Sequence, residues 1–183
     1  MERNIALVAL FAALIAVLGL VPKLTLMTGI PITAQSLGVM LCGTVLGARR
    51  GALAVMLFLL MVALGLPLLA GGRGGLGVFA GPTVGFLVGF PLAALVIGWM
   101  TARLSSLPVG PAAGISAALG GIPVLYIPGI LGMMVMLDMS AGKAAVSMLP
   151  FIPGDLIKAV LAGAITAALA RARPGLVASR PAG

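Results

Sequence analysis

Long apolar runs dominate the chain, and scattered charged residues separate them. The runs are continuous and do not alternate between apolar and polar residues, so they predict helices rather than the strands of a membrane β-barrel. A helix needs about 20 apolar residues to cross a bilayer, with about 17 as a lower limit. We therefore predict one domain, residues 1–183, with six membrane-spanning helices at about 5–21, 34–48, 51–66, 83–102, 112–135 and 154–171.

The fifth predicted span contains two prolines, Pro123 and Pro128. The apolar stretch from 112 to 137 is too short for two complete spans. Because proline removes a main-chain donor and crowds the preceding turn, we expect one helix that bends there.

Composition supports an all-α integral membrane protein. Hydrophobic residues make up 62% of the chain and charged residues 8%, whereas about a quarter of a soluble domain is charged. The net charge of +8 does not indicate nucleic-acid binding, because the basic residues are scattered between apolar runs. One cysteine, Cys42, and no histidine supply neither a disulfide framework nor a metal site, and we expect no cofactor.

The basic residues predict the topology. With both termini in the cytoplasm, seven lie inside (Arg3, Arg49, Arg50, Arg103, Arg171, Arg173, Arg180) and three outside (Lys23, Arg73, Lys143). This distribution follows the positive-inside rule. An even number of spans keeps both termini on one side of the membrane. The last basic residue, Lys158, falls within the sixth span, near its outer end.

The segment PGDLIKA places two opposite charges at the start of the sixth span. Asp155 lies in the first helical turn, where the helix dipole favours a carboxylate. The spacing i, i+3 puts Lys158 on nearly the same face. The pair suits a ligand that has an N–H donor and a carboxylate, because charges inside a membrane usually face a cavity or site. The alternative is a helix-terminal acid beside a lysine that extends to the membrane surface.

Glycines surround the arginine of the segment LAGGRGG. Gly72 and Gly75 allow the main chain beside Arg73 to approach a ligand closely, or the segment is an ordinary outer loop. Further along, glycines recur every fourth residue, which predicts a groove for close helix packing. They are Gly77, Gly81, Gly85 and Gly89.

Further polar and aromatic candidates lie near the outer ends of other spans. Thr33 and Gln35, with Ser36 beside them, either cap the second helix or donate to a ligand. Tyr126 stacks on a ligand or lies at the membrane interface, and Phe79 and Phe151 are weaker candidates of the same kind.

The first span contains two small-residue pairs at a spacing of four, which allow another helix to approach closely. They are Ala9 with Ala13 and Ala12 with Ala16. Enzymatic chemistry has little support, because the chain has only three acidic residues and no G-x-x-x-x-G-K-[ST] motif for ATP.

Three stretches together carry a family resemblance: PITAQSLGVMLCGTVLGARRGALAV, GLPLLAGGRGGLGVFAGPTVGFLVGF and LPFIPGDLIKA. They resemble, in this order, BioY, the biotin-binding S component of energy-coupling factor (ECF) vitamin transporters. Asp155 and Lys158 match the family's D-x-x-K motif, and Arg73 matches its glycine-flanked arginine. Residues 132–147 match poorly.

The resemblance implies a six-helix S component in the bacterial cytoplasmic membrane, with biotin as its ligand. Its partners would be a transmembrane coupling subunit and ATPase subunits, and the alanines of the first helix would form the docking face. Lys158 or Arg73 would meet the biotin carboxylate, Asp155 a ureido N–H, and Gln35 or main-chain N–H groups the ureido oxygen. The alternatives are an S component for another small vitamin, an integral-membrane enzyme and a structural subunit.

Overall fold

The computed structural model describes residues 2–22, 24–25 and 31–179. Lys23 and Arg180, which we assigned to an outer loop and to the cytoplasmic tail, lie outside the described residues. Eight α-helices form the described part: α1 (Glu2–Leu18), α2 (Gln35–Leu46), α3 (Ala48–Ala63), α4 (Val84–Arg103), α5 (Val109–Gly121), α6 (Pro123–Leu137), α7 (Ala141–Val146) and α8 (Ile152–Ala172).

Several short elements were not predicted. β1 (Leu24–Thr25) pairs antiparallel with β2 (Pro31–Ile32) in a two-residue ribbon, and α7 is a single short helix before α8. Three 3₁₀ turns complete the described chain, at Leu76–Ala80, Leu149–Phe151 and Pro174–Leu176. These elements are too short for an apolar period to mark them in the sequence.

Within the described residues, three helical segments are long and apolar enough to cross a membrane: Val84–Arg103, Val109–Leu137 and Ala141–Ala172. The helix α2 has only 12 residues and so extends about 18 Å. Ten of those residues are buried, because α2 packs among α1, α3, α4, α5 and α8. A central helix that is covered by neighbours does not need to match the thickness of the lipid by itself.

The predicted fifth span is divided into two helices, α5 and α6, at Ile122, the residue before Pro123. Main-chain hydrogen bonds from Ile122 N to Ala118 O and from Tyr126 N to Ile122 O continue across the junction. Both helices pack against α4. The interruption at the residue before a proline agrees with the proline pattern, whereas Pro128 lies inside α6.

Both described ends of the chain lie at the same end of the bundle. Asn4 Oδ1 accepts a hydrogen bond of 3.0 Å from Arg50 Nη1, and Ala178 N donates to Val45 O at 2.8 Å. This end, which we call the basic end, carries Arg3, Arg49, Arg50, Arg103, Arg171 and Arg173. Arg73 and Lys143 lie at the opposite end, which we call the site end.

Only two of the four glycines that recur every fourth residue pack closely against another helix. Gly85 and Gly89 lie in α4, where a side chain at Gly85 would overlap the Pro128 carbonyl of α6. Gly77 and Gly81 precede α4, and a Cβ at Gly77 would meet nothing within 4 Å. The expectation of one continuous glycine face was therefore wrong for these two positions, because the helix begins only at Val84.

We expect Gly85→Ala to destabilise the protein and Gly77→Ala to leave its stability unchanged. The first adds a methyl group against fixed main chain, and overpacking of this kind costs about 1–3 kcal/mol. The thermal unfolding midpoint in detergent, followed with a thiol-reactive dye that reaches the buried Cys42 on unfolding, measures both variants. Equal midpoints would contradict the close approach of α4 to α6.

Candidate ligand-binding site

A cavity of about 70 Å³ lies at the site end of the bundle. Its walls come from the start of α2, the loop between α3 and α4, and the helices α4, α6 and α8. The residues that line it are Thr33, Gln35, Ser36, Leu69, Arg73, Thr83, Phe86, Leu87, Phe90, Leu125, Tyr126, Phe151, Asp155 and Lys158.

The Asp155 carboxylate is the polar centre of this cavity. Pro153 lies in the first turn of α8, and Asp155 follows in the same turn with only 4% of its surface exposed. Its Oδ2 atom accepts a hydrogen bond of 2.7 Å from the Tyr126 hydroxyl. Its Oδ1 atom accepts from Lys158 Nζ at 2.8 Å and from Ser36 Oγ at 3.3 Å. Donors from α2, α6 and α8 thus converge on one carboxylate.

Lys158 is held inside the site. Its Nζ atom donates to Asp155 and, at 2.9 Å, to Ser36 Oγ. The i, i+3 pairing predicted from the sequence is confirmed. The alternative of a lysine extending to the membrane surface is not supported, because its ammonium group is bonded to two residues of the cavity.

Arg73 lines the cavity from a tight glycine loop. Leu69 N donates to Arg73 O at 3.0 Å, and Arg73 N donates to Leu69 O at 3.2 Å. Gly72 lies at the turn between them with φ +69°, a conformation that favours glycine. Gly75 has φ +80°. Neither glycine lines the cavity, so their approach to a ligand stays a prediction, and what the structure shows is a loop with positive φ at both glycines.

Gln35 and Thr33 also line the cavity, but both are used within the fold. Thr33 Oγ1 accepts from Gln35 N at 3.3 Å, although the N-cap residue of α2 is Ala34, which has no side-chain cap. The Gln35 amide makes three hydrogen bonds to main-chain atoms of α1 and of the loop after α3. The prediction that this amide meets a ligand directly stays a prediction.

The aromatic lining differs from the one we expected. Tyr126 faces the cavity, whereas Phe79 lies in a 3₁₀ turn and packs on the core outside the lining. Thr83, Phe86 and Phe90 form a lining face that we missed. Their spacing of three and four residues was a readable signal. The glycines that recur every fourth residue in the same segment obscure this signal in the sequence.

The alanines of α1 divide between two environments. Ala9 and Ala13 are exposed, Ala16 is half-buried, and Ala12 is fully buried at 0% exposure. The expectation that Ala12 belongs to a docking face is therefore corrected, since it packs inside the bundle. Ala9 and Ala13 remain available to another helix.

The chemistry of the cavity suits a small organic acid that also carries hydrogen-bonding groups. Two cations, Arg73 and Lys158, outnumber one carboxylate among the lining residues. Aromatic and aliphatic side chains supply the other walls. Among the described residues no cluster of His, Cys, Asp or Glu could hold a metal ion.

A helical bundle with such a cavity at one end defines a membrane protein that binds a small molecule. The chain belongs to the BioY family, whose model matches residues 2–175. It is 52% identical to the biotin transporter BioY of Rhodobacter capsulatus, over 98% of this chain and 100% of that protein. It is 44% identical to a probable biotin transporter BioY of Bacillus subtilis, over 84% and 83% of the two chains.

A solved structure shares this fold. It is the S component for biotin from an ECF-type ABC transporter, with a TM-score of 0.88 and 29% sequence identity. The match covers 93% of this chain and 92% of that one. The ECF S-component architecture expected from the sequence is thus confirmed.

Proposed function

We propose that this chain binds biotin from outside the cell and delivers it for uptake as the substrate-specific subunit of an ECF-type transporter. The observation that carries the proposal is the buried Asp155 carboxylate. It lines the cavity together with Lys158, Arg73 and several apolar side chains. Biotin offers the complementary groups, namely ureido N–H donors, an apolar bicyclic ring and a carboxylate.

Asp155 is the group best placed to accept a ureido N–H. Tyr126 holds one carboxylate oxygen by a short bond, whereas the bond from Ser36 to the other oxygen is long, at 3.3 Å. A ureido N–H would replace the Ser36 donor there with a charge-assisted hydrogen bond. Such a bond discriminates strongly, because a ligand without the donor leaves a buried carboxylate under-satisfied.

Arg73 is the better candidate for the biotin carboxylate. Its planar guanidinium can form two parallel hydrogen bonds to a carboxylate, and its loop closes one wall of the cavity. Lys158 is already bonded to Asp155 and Ser36, so its role is to hold the Asp155 carboxylate in place. Phe86, Phe90 and Tyr126 would cover the ring.

Biotin calorimetry tests this assignment. We expect Asp155→Asn and Lys158→Ala to weaken binding at least tenfold, which corresponds to about 1.4 kcal/mol. The matched controls are Asp138→Asn and Lys143→Ala, an acid and a lysine at the same end that do not line the cavity. If the unmodified protein binds biotin and both Asp155→Asn and Lys158→Ala bind it equally well, the cavity is not the binding site. If the unmodified protein does not bind biotin, the ligand is another vitamin, which competition experiments with a panel of vitamins would identify.

We also propose six membrane spans, formed by α1, α2, α3, α4, the α5–α6 segment and α8. The basic end would face the cytoplasm, which agrees with the positive-inside rule. The chain would thus lie in the bacterial cytoplasmic membrane with its cavity open to the outside.

Cysteine labelling in whole cells tests this orientation. A membrane-impermeant maleimide should label Lys143→Cys and spare Arg173→Cys, because the two exposed positions lie at opposite ends. Cys42 is 0% exposed, so the parent should remain unlabelled. Labelling of the Arg173→Cys variant in intact cells would contradict the orientation.

The exposed Ala9–Ala13 face of α1 is the proposed docking surface for the coupling subunit. Small residues four apart let two helices approach closely in a membrane. The coupling subunit would carry the ATPase subunits, which would supply the ATP hydrolysis.

We expect Ala9→Trp and Ala13→Trp to abolish co-purification with a co-expressed coupling subunit while biotin binding persists. The control is Ile127→Trp on α6, a position that is 60% exposed and distant in sequence from α1. Normal co-purification of both alanine variants would place the docking face elsewhere.

A further inference from the structure

The Gln35 side chain joins three parts of the molecule. Its Nε2 group donates to Ile15 O in α1 at 3.2 Å and to Leu68 O at 3.1 Å, in the loop that precedes Arg73. Its Oε1 atom accepts from Ala70 N at 3.0 Å. We call these three hydrogen bonds the Gln35 bridge.

The neighbours determine the orientation of this amide. Two carbonyl oxygens require the NH₂ group, and one main-chain N–H requires the oxygen, so the reversed amide would lose all three bonds. Gln35 is 2% exposed, and water cannot readily replace its bonds. An apolar side chain at this position would leave two carbonyls and one N–H without these partners.

A second contact links α1 to the same loop. A Cβ on Gly19, just beyond the end of α1, would lie 2.5 Å from Leu68 O and 2.9 Å from Gln35 Nε2. The absence of a side chain at residue 19 is therefore what lets the loop approach α1 and close the bridge. The hydrogen bonds of Gln35 and the close approach at Gly19 thus involve the same two atoms, Leu68 O and Gln35 Nε2.

The loop held by this bridge forms a wall of the cavity. Leu69 and Arg73 line it, while Leu68 and Ala70 carry the bonds to Gln35. The cavity of about 70 Å³ is not fully enclosed, and the loop is the wall that the bridge joins to the bundle. Movement of this wall would therefore disturb the Gln35 bridge.

We propose that Gln35 is a positioning residue whose amide holds the Arg73 loop closed over the ligand and ties that loop to α1. The inference rests on the proposed function of the cavity. It assigns Gln35 to retention of the ligand rather than to direct contact with it. Since α1 also carries the exposed Ala9–Ala13 face, movement of α1 on docking would act on the loop through Ile15 O and Gln35.

Biotin association and dissociation rates test the bridge. We expect Gln35→Met and Gly19→Ala to speed dissociation about tenfold or more, with association unchanged or faster, because an open loop retains ligand poorly but still admits it. Gly19→Ala perturbs the bridge from α1 without changing a cavity residue. The matched control is Met40→Ala, a fully buried position of α2 outside the lining, which should lower stability and leave both rates unchanged.

A thiol probe tests the loop without biotin. Ala70 is 1% exposed, so the cysteine of Ala70→Cys should react slowly with a maleimide in the otherwise native protein. It should react several-fold faster when combined with Gln35→Met or Gly19→Ala, and at the native rate with Met40→Ala.

The two readouts separate the possible failures. A parent that binds no biotin refutes the proposed function, while thiol reactivity still tests the bridge. Unchanged reactivity in both combined variants overturns the inference. Faster reactivity with unchanged biotin dissociation also overturns it, because the loop would then open without releasing the ligand.

Discussion

The burial of the Asp155 carboxylate is the constraint on which the rest of this structure depends. Removing a carboxylate from water costs several kcal/mol, so its charge must be compensated within the protein. Tyr126, Ser36 and Lys158 provide that compensation from three different helices. The helices α2 and α6 must therefore approach α8 with a defined rotation and depth. The site specifies the arrangement of the bundle as much as the bundle positions the site.

Helices can converge in this way only because small residues line their crossings. Without a hydrophobic effect between helices in lipid, close packing of main chains supplies much of the association. A Cβ at Gly85 would overlap α6, and one at Gly120 would overlap Ile97 of α4. The break at Ile122 separates α5 from α6, the helix that carries Tyr126. Glycine and proline thus bring the polar donors to the carboxylate.

Much of this was predictable from sequence. Continuous apolar runs predicted an all-helical fold, and the spacing of Asp155 and Lys158 identified a pair that the structure brings to 2.8 Å. These features depend on local periodicity, which a sequence displays directly. The spacing of Phe86 and Phe90 is also a local signal, but the glycine pattern in the same segment predicted helix packing instead of a cavity lining.

Other features depend on contacts between distant segments and have no local signal. Gln35 looked like a ligand donor because a lone glutamine in an apolar chain has few other evident uses. Its partners lie 20 to 35 residues away in sequence. Likewise, the two alanine pairs of α1 are indistinguishable in sequence, and only the packing of the bundle separates buried Ala12 from exposed Ala9.

The polar groups of the cavity lie on two kinds of element: Asp155 and Lys158 on a helix, and Arg73 on a loop. Asp155 and Lys158 are bonded to each other and to Ser36, so they provide a preorganised surface that requires little rearrangement when a ligand arrives. The Arg73 loop is joined to the bundle mainly through main-chain atoms, and its glycines permit alternative conformations. Asp155 is fixed on a helix, whereas Arg73 lies on a loop that can change conformation. This arrangement lets one site combine selective binding with release of the ligand. The charges select the ligand, and the loop controls how long it stays.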